Sequence, residues 1–344
     1  MNIFCKNRIN IHLSSSQINL DPQIINSQVD CNFISHAHTD HLPTSKKKPA
    51  FSPLTVCSKA TARLFYERMG YNIDQKDSWS NDDFTITAVP GGHTFDSTVA
   101  EITDHSTNQL IVYTGDVNIE DRGYLAGYIP KKCDILILEA TWGDKHYQFP
   151  SFKEQINKAR DYIQTQIDKG YPVAILGYPL GKAQLLNHSL GDLCENRYSG
   201  KSVWVMEQVH KELGLTLYDT IKLPENFSEE NTSLNQPWLL FYTHRGASDP
   251  TLSKLKRKFN LKIVGFSGWA KDEVNYKYRM GVDAAFMISD HSDYLSLLKL
   301  VEKADPKKIF TVFGNANELA RDLQKEGFQA TPLKEGQATL ENFF

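Results

Sequence analysis

The stretch His36-Ala37-His38-Thr39-Asp40-His41 constrains this chain more than any other feature. Three imidazoles and a carboxylate within six residues are donors for the same class of ion. On extended backbone every second side chain shares a face. A strand continued through the motif would therefore bring His36, His38 and Asp40 to one side, with His41 at a following turn. Neutral imidazole and carboxylate suit zinc, with manganese or iron as alternatives. A polar surface loop tolerates a single histidine, but it gives no reason for this spacing.

Two later segments add donors. Pro90-Gly91-Gly92-His93-Thr94-Phe95-Asp96-Ser97 follows a strand candidate, and its glycines let the backbone bend to present His93. Ile111-Val112-Tyr113-Thr114-Gly115-Asp116 reads as a strand ending on an aspartate, whose carboxylate can bridge two metal ions. Either segment alone is an ordinary strand-end turn.

Around these motifs, apolar runs at Cys31–Ser35, Phe84–Val89, Val99–Thr103, Leu110–Thr114 and Asp134–Leu138 predict strands. From Phe152 the period changes. Ile156, Ala159, Ile163 and Ile167 recur at helical spacing and Gly170 stands where a helix would end, predicting a helix to about Lys169. A strand at Pro172–Gly177, a helix at Tyr294–Lys303, a strand at Lys308–Phe313 and a helix at Asn315–Lys325 follow. A strand-rich start with later alternation predicts an α/β fold.

The 344 residues suffice for a large core. With 38 basic and 41 acidic residues, net charge −3, any polyanion site must come from local clustering. Cys5, Cys31, Cys57, Cys133 and Cys194 form no C-x-x-C pair and read as reduced thiols of a cytoplasmic protein. Neither a signal peptide nor an apolar run of about 18 residues is evident, so no membrane association is expected. A homo-oligomer is compatible with this composition.

Taken in order, the metal-ligand segments closely resemble the ligand series of the metallo-β-lactamase superfamily, and the likeness extends to Asp21 in Ile18-Asn19-Leu20-Asp21-Pro22. The resemblance implies an αβ/βα sandwich with metals at one edge of its sheets. It implies a first ion on His36, His38 and His93, a second on Asp40 and His41, Asp116 between them, and Asp21 as a buttress. Three more features resemble the β-CASP branch, whose members process nucleic acids. Glu139 ends an apolar run, His291 precedes a helix in Ser289-Asp290-His291-Ser292-Asp293-Tyr294, and about 150 residues separate the two. Gly177-Tyr178-Pro179-Leu180-Gly181-Lys182-Ala183-Gln184 resembles the opening of the inserted domain, with Lys182 in place of the usual arginine. Phe266-Ser267-Gly268-Trp269-Ala270 and the His291 segment look most like ligase-associated DNA exonucleases and archaeal 3′-end-processing exonucleases. The implied domains are 1–176 and 271–344 for the metallo-β-lactamase fold and 177–270 for a smaller inserted α/β domain.

The same resemblance implies a zinc-dependent nuclease, an exonuclease in character, acting on single-stranded DNA or RNA. Two metals would clamp a phosphodiester and lower the pKa of a bridging water for in-line attack. His291 would protonate the leaving oxygen, Glu139 would orient that imidazole, and Asp40 would hold the nucleophile. Local charge agrees: residues 251–280 carry eight basic side chains, Lys271 and Arg279 among them, against Asp272 and Glu273. Lys182, Lys271 and Arg279 are the named candidates for phosphate contacts, although a solvated helix face would look the same. Lys46-Lys47-Lys48 carries the same ambiguity. Trp142, Trp269 and Tyr278 could stack bases, but most aromatics are core, and at least two of these three are expected there.

One departure stands out. RNA-cleaving β-CASP enzymes carry a further metal-binding histidine after a late strand, where this chain has Phe313. Phenylalanine cannot ligate, so one or two zinc ions are expected, with the second held more weakly. DNA-processing relatives also lack that histidine, which tilts the substrate toward DNA, while the archaeal likeness favours RNA. Two alternatives stay open. A small-molecule metallo-hydrolase acting on a thioester or lactone would need neither Glu139 nor His291. A non-catalytic nucleic-acid-binding subunit would have no need of the complete early ligand set.

Overall fold

The computed structural model describes residues 1–25, 28–49, 54–224, 237–245 and 249–334. Its elements begin with β1 (Asn2–Cys5), β2 (Ile9–His12), β3 (Gln17–Leu20), β4 (Cys31–Phe33), β5 (Leu54–Val56), α1 (Lys59–Met69), β6 (Asp74–Lys76), β7 (Ser78–Ser80), β8 (Phe84–Pro90), β9 (Thr98–Asp104), β10 (Gln109–Tyr113) and β11 (Ile135–Glu139). Next come α2 (Phe152–Asp168), β12 (Val173–Gly177), α3 (Lys182–Leu190), β13 (Arg197–Ser199), α4 (Lys201–Glu212), β14 (Ile221–Lys222), β15 (Leu239–Thr243), α5 (Pro250–Phe259), β16 (Lys262–Phe266), α6 (Glu273–Met280) and β17 (Ala284–Phe286). The last are α7 (Tyr294–Ala304), β18 (Lys308–Val312), α8 (Ala316–Lys325) and β19 (Ala330–Pro332). The fold is mixed α/β with several sheets.

These elements form two compact units. The first comprises Met1–Glu120, Ala126–Gln148 and the chain from His291 onward; the second comprises Asp121–Leu125 and Phe149–Asp290. In the first unit, alternation decides the layers. Ile9 and Ile11 of β2 and Ile18 and Leu20 of β3 are buried while their neighbours are not, so one face of the sheet β1-β2-β3-β4-β5-β6 is apolar. That face meets Phe84, Ile102, Ile111 and Ile137 of a second sheet, ordered β19-β18-β11-β10-β9-β8-β7. β11 is buried at every position. Its other face, through Leu136 and Leu138, packs on Leu297, Leu300 and Val301 of α7 and on Leu319 and Leu323 of α8.

Strand direction sets where the site can form. β3 and β4 are parallel with Leu20 opposite Phe33, so Asp21 and the His36 segment leave the sheet at the same end. β10, β11 and β18 are also parallel, with Tyr113 opposite Ile137 and Glu139 opposite Val312. Asp116, Glu139 and Phe313 therefore lie at or beyond matched strand ends.

The second unit is a six-stranded parallel sheet, ordered β14-β13-β15-β12-β16-β17. β12 is buried throughout, the pattern of a strand covered on both faces. β12 pairs with both β15 and β16, in the middle of the sheet. This unit is wider than the 177–270 expected from sequence: α2 and β12 belong to it, as do α6 and β17 up to Asp290. A central strand cannot be assigned apart from the neighbours that pair with it. α2 follows its expectation closely, with Ser151 capping the N-terminus and Ile156, Ala159, Ile163 and Ile167 buried. Among the described residues no helix is long and apolar enough to cross a membrane.

Candidate metal centre

The histidine motif leaves β4 under the control of buried carboxylates. Ser35 donates its backbone N–H to Asp21 Oδ1 at 2.6 Å and its hydroxyl to Asp21 Oδ2 at 2.7 Å. The Ala37 N–H donates to Asp96 Oδ2 at 2.8 Å. Beyond β4 the chain runs without regular secondary structure to His38, and then the His41 N–H donates to the His38 carbonyl at 3.0 Å, closing a turn. The turn corrects the simple strand expectation. His41 is brought inside, 3% exposed, whereas the Asp40 side chain is 72% exposed and its Oδ2 lies 3.9 Å from His41 Nε2.

His36, His38, His93 and Asp116 each offer one donor atom, all within 4.8 Å of one another. Asp116 Oδ2 lies 3.5 Å from His36 Nε2 and 3.7 Å from His93 Nε2. His36 Nε2 is buried without a hydrogen-bond partner. Burial, aided by the neighbouring His41 and His38, pushes the His36 pKa well below its ordinary value, so this imidazole is neutral and its lone pair available. A buried, unpartnered ring nitrogen among three further donors fits a divalent metal ion, and this cluster can hold one.

Backbone geometry at two glycines makes the convergence possible. Gly115 has φ +52°, and a Cβ there would stand 2.5 Å from the Ser35 Cβ. Gly92 has φ +73°, and a Cβ there would stand 2.3 Å from the Asn118 carbonyl oxygen. No other residue fits either place without moving the chain that carries a donor.

At the other end of the cluster, His41 is held between carboxylates. Its Nδ1 lies 2.7 Å from Asp21 Oδ2 and its Nε2 3.2 Å from Asp116 Oδ1. Burial alone would lower the His41 pKa, but Asp116 and Asp21 override it and raise it well above the ordinary value. Asp21 also accepts from the Tyr113 hydroxyl at 2.7 Å. Asp116 is held well below the carboxylate range: burial works against ionisation, and His41 and His291 outweigh it. Beside this end the Phe313 ring lies edge-on to His41, with centroids 5.5 Å apart. The Arg8 guanidinium stands 5.3 Å from the Phe313 centroid and also donates to the Asp40 carbonyl.

Glu139 and His291 meet as a pair. The His291 Nδ1 is 3.0 and 3.1 Å from the two Glu139 oxygens, and Glu139 is fully buried. Glu139 also accepts the N–H groups of Val117 at 2.8 Å and Thr141 at 3.2 Å. With Nδ1 so occupied, His291 turns Nε2 toward the cluster, 3.9 Å from Asp116 Oδ2. Asp116, Glu139 and His291 form a second group of close donors.

The candidates for phosphate contacts fall out differently. Lys182 is 3% exposed; its ammonium sits 3.3 Å from Asp290 Oδ2 and donates to the Ile288 carbonyl at 2.8 Å. Arg122 joins the same buried network, 3.3 Å from Asp290 Oδ1. Lys182 is thus a buried structural cation within the second unit and presents no charge to a ligand. Lys271 is half-buried and Arg279 exposed. The aromatic expectation reverses: Trp142 is buried, but Trp269 is 60% and Tyr278 88% exposed.

Sequence reasoning missed Arg8, Ser35, Tyr113 and Asp96 as parts of this region. Asp96 lies inside the quoted His93 segment, and its Thr-x-Asp spacing allows the 2.7 Å hydrogen bond from Thr94. Arg8 sits in the hairpin between β1 and β2 at φ +95°, and nothing in the sequence links it to a motif 30 residues away.

No protein-family profile matches the chain. A protein named "Probable DNA ligase" from Opitutus terrae (strain DSM 11246 / JCM 15787 / PB90-1) is 28% identical over 312 residues, covering 88% of this chain and 29% of the relative. Integrator complex subunit 11 of Danio rerio is 21% identical over 367 residues, covering 85% of this chain and 60% of the relative. The chain thus spans under a third of the first relative and three fifths of the second. The crystal structure of a protein of unknown function from Enterococcus faecalis V583 superposes with a TM-score of 0.62 at 11% identity, covering 98% of this chain and 99% of that one. That likeness concerns the fold alone.

Proposed function

We propose that this chain is a metal-dependent nuclease of the metallo-β-lactamase fold and β-CASP branch, hydrolysing phosphodiester bonds in single-stranded DNA or RNA. One observation carries the reading: the cluster of buried His36, His93 and Asp116 with partly buried His38 shares Asp116 with the Glu139–His291 pair. Similarity to a protein named as a DNA ligase and to an Integrator complex subunit supports nucleic acid as the substrate.

Bound in that cluster, a zinc or manganese ion would supply Lewis acidity to a phosphoryl oxygen and lower the pKa of water. The chain's own groups do the rest. Asp21 fixes His41 and Ser35, and through them the path of the motif. Glu139, accepting from Nδ1–H, orients His291 and stabilises its imidazolium form, whose Nε2–H would pass to the leaving oxygen and leave the ring neutral. A reducing, cytoplasmic compartment goes with this reading, on the wide spacing and odd number of the five cysteines.

The test uses end-labelled single-stranded DNA and RNA with zinc or manganese, comparing wild type with Asp116→Ala. The variant removes a donor common to both groups, so cleavage should fall by at least ~10³-fold, against several kcal/mol expected from metal activation. Turnover of thioesters or lactones with both polynucleotides left intact would overturn the reading in favour of a small-molecule hydrolase. The laddering of products would also give polarity and distinguish end from internal cleavage.

A further inference from the structure

The His41 end of the site is poorer in donors: among the described residues neither group of close donors includes His41 or Asp40. His41 Nδ1 is engaged by Asp21, leaving Nε2, which lies 3.2 Å from Asp116 Oδ1. The Asp40 carboxylate is exposed and 3.9 Å from that nitrogen. Phe313 fills the neighbouring space with a hydrocarbon ring, and over this ring stands a permanent cation, Arg8. Three independent features mark the arginine as placed there. Its backbone adopts φ +95°, a region that disfavours any side chain with a Cβ. Its guanidinium donates to the carbonyl of Asp40, inside the motif itself. Its Nε is buried without a hydrogen-bond partner.

We infer that this chain holds a single metal ion, on His36, His38, His93 and Asp116, and that Arg8 supplies at the His41 end the fixed positive charge a second ion would bring. A guanidinium is always charged and presents a fork of N–H donors matched to phosphate oxygens. It is therefore suited to neutralise a phosphodiester beside the metal, a role that rests on the nuclease reading. The exclusion of the second ion rests on the donors and the charge at this end and not on the substrate: Phe313 offers no donor, the Asp40 side chain is exposed, and Arg8 repels a divalent cation.

The experiment counts zinc by mass spectrometry after reconstitution with excess zinc and exhaustive dialysis, with circular dichroism confirming the fold. Wild type should retain one zinc per chain. The double variant Arg8→Gln/Phe313→His, which removes the competing charge and restores a donor, should retain two. Phe313→His alone, with Arg8 still present, should stay nearer one and guards against misfolding of the arginine variant. Two zinc ions in wild type would overturn the inference, as would one in a folded double variant. Because no substrate enters the measurement, its failure is separate from that of the nuclease reading. One zinc with no phosphodiesterase activity would count against the function alone, and two zinc with activity against this inference alone.

Discussion

Asp116 serves two neighbours with its two oxygens. Oδ2 faces His36 and His93, and Oδ1 faces His41. One carboxylate thus ties the metal-binding cluster to the Asp21–His41 relay, and His291 faces it from a third side at 3.9 Å. This arrangement separates two contributions of His291 that activity alone would merge. In His291→Ala the four-donor cluster is intact, so zinc content should be unchanged, while cleavage should fall by ~10²–10⁴-fold, the range for a positioned proton donor. Loss of zinc together with activity would make His291 a ligand, and a full rate with zinc retained would leave it without a role. At this scale the sequence is legible wherever spacing decides the outcome. His36 and His38 offer donors to one group, as their spacing leads one to expect. Asp40 breaks the pattern because one backbone hydrogen bond, from His41 to His38, turns the chain before it. Arg8, Tyr113 and Ser35 act through partners distant in sequence or through an ordinary residue type, so no local pattern announces them.

Elements were read more fully than residues. The strands β8 to β11 and the helices α2, α7 and α8 lie where apolar runs, alternation or helical spacing place them, β11 being buried on both faces and each helix on one. The motif-bearing strand is shorter than its apolar run: β4 ends at Phe33, and Ile34 and Ser35 already belong to the loop that presents His36. The turns carry most donors of the candidate site. After β10 the chain must pass Ser35 with no Cβ to spare, and Gly115 does so at φ +52°. Gly115→Ala should therefore push Asp116 and the Ser35 loop apart. The expected loss is ~1–3 kcal/mol of stability from crowding and positive-φ strain. A sharper decline in zinc affinity should accompany it, measured by competition with a chromogenic chelator. A variant that binds zinc as wild type does would show that the loop relaxes without cost to the site.

On the scale of the molecule, the distance between Glu139 and His291 gives the expectation of an inserted domain over 177–270, whereas the second compact unit comprises Asp121–Leu125 and Phe149–Asp290. Membership of the second unit is decided by strand pairing, which brings β12 and β17 into one sheet with β15 and β16. The same distance effect hid the fate of Lys182, a basic residue in sequence and a buried partner of Asp290 in space. The division predicts where metal removal is felt. Chelation should raise amide hydrogen exchange in the loops of residues 34–41, 91–97 and 114–117 and leave β12, β15 and β16 of the second unit unchanged. Peptide-resolved exchange mass spectrometry is the check, and equal loosening of both units would contradict it. Reloading at 100 times the dissociation constant should return about 2.7 kcal/mol of stability.

The burial of His36 bears on time as well as affinity. His36 is fully enclosed, and His93 is 1% and Asp116 5% exposed, whereas His38 is only partly covered and His291 is 22% exposed at its side chain. An ion in this cluster would exchange with the medium past His38 and His291, without the loops around His36 having to open. A chelator entering from that side would share the ion before the buried donors release it, so the rate of metal loss should rise with chelator concentration.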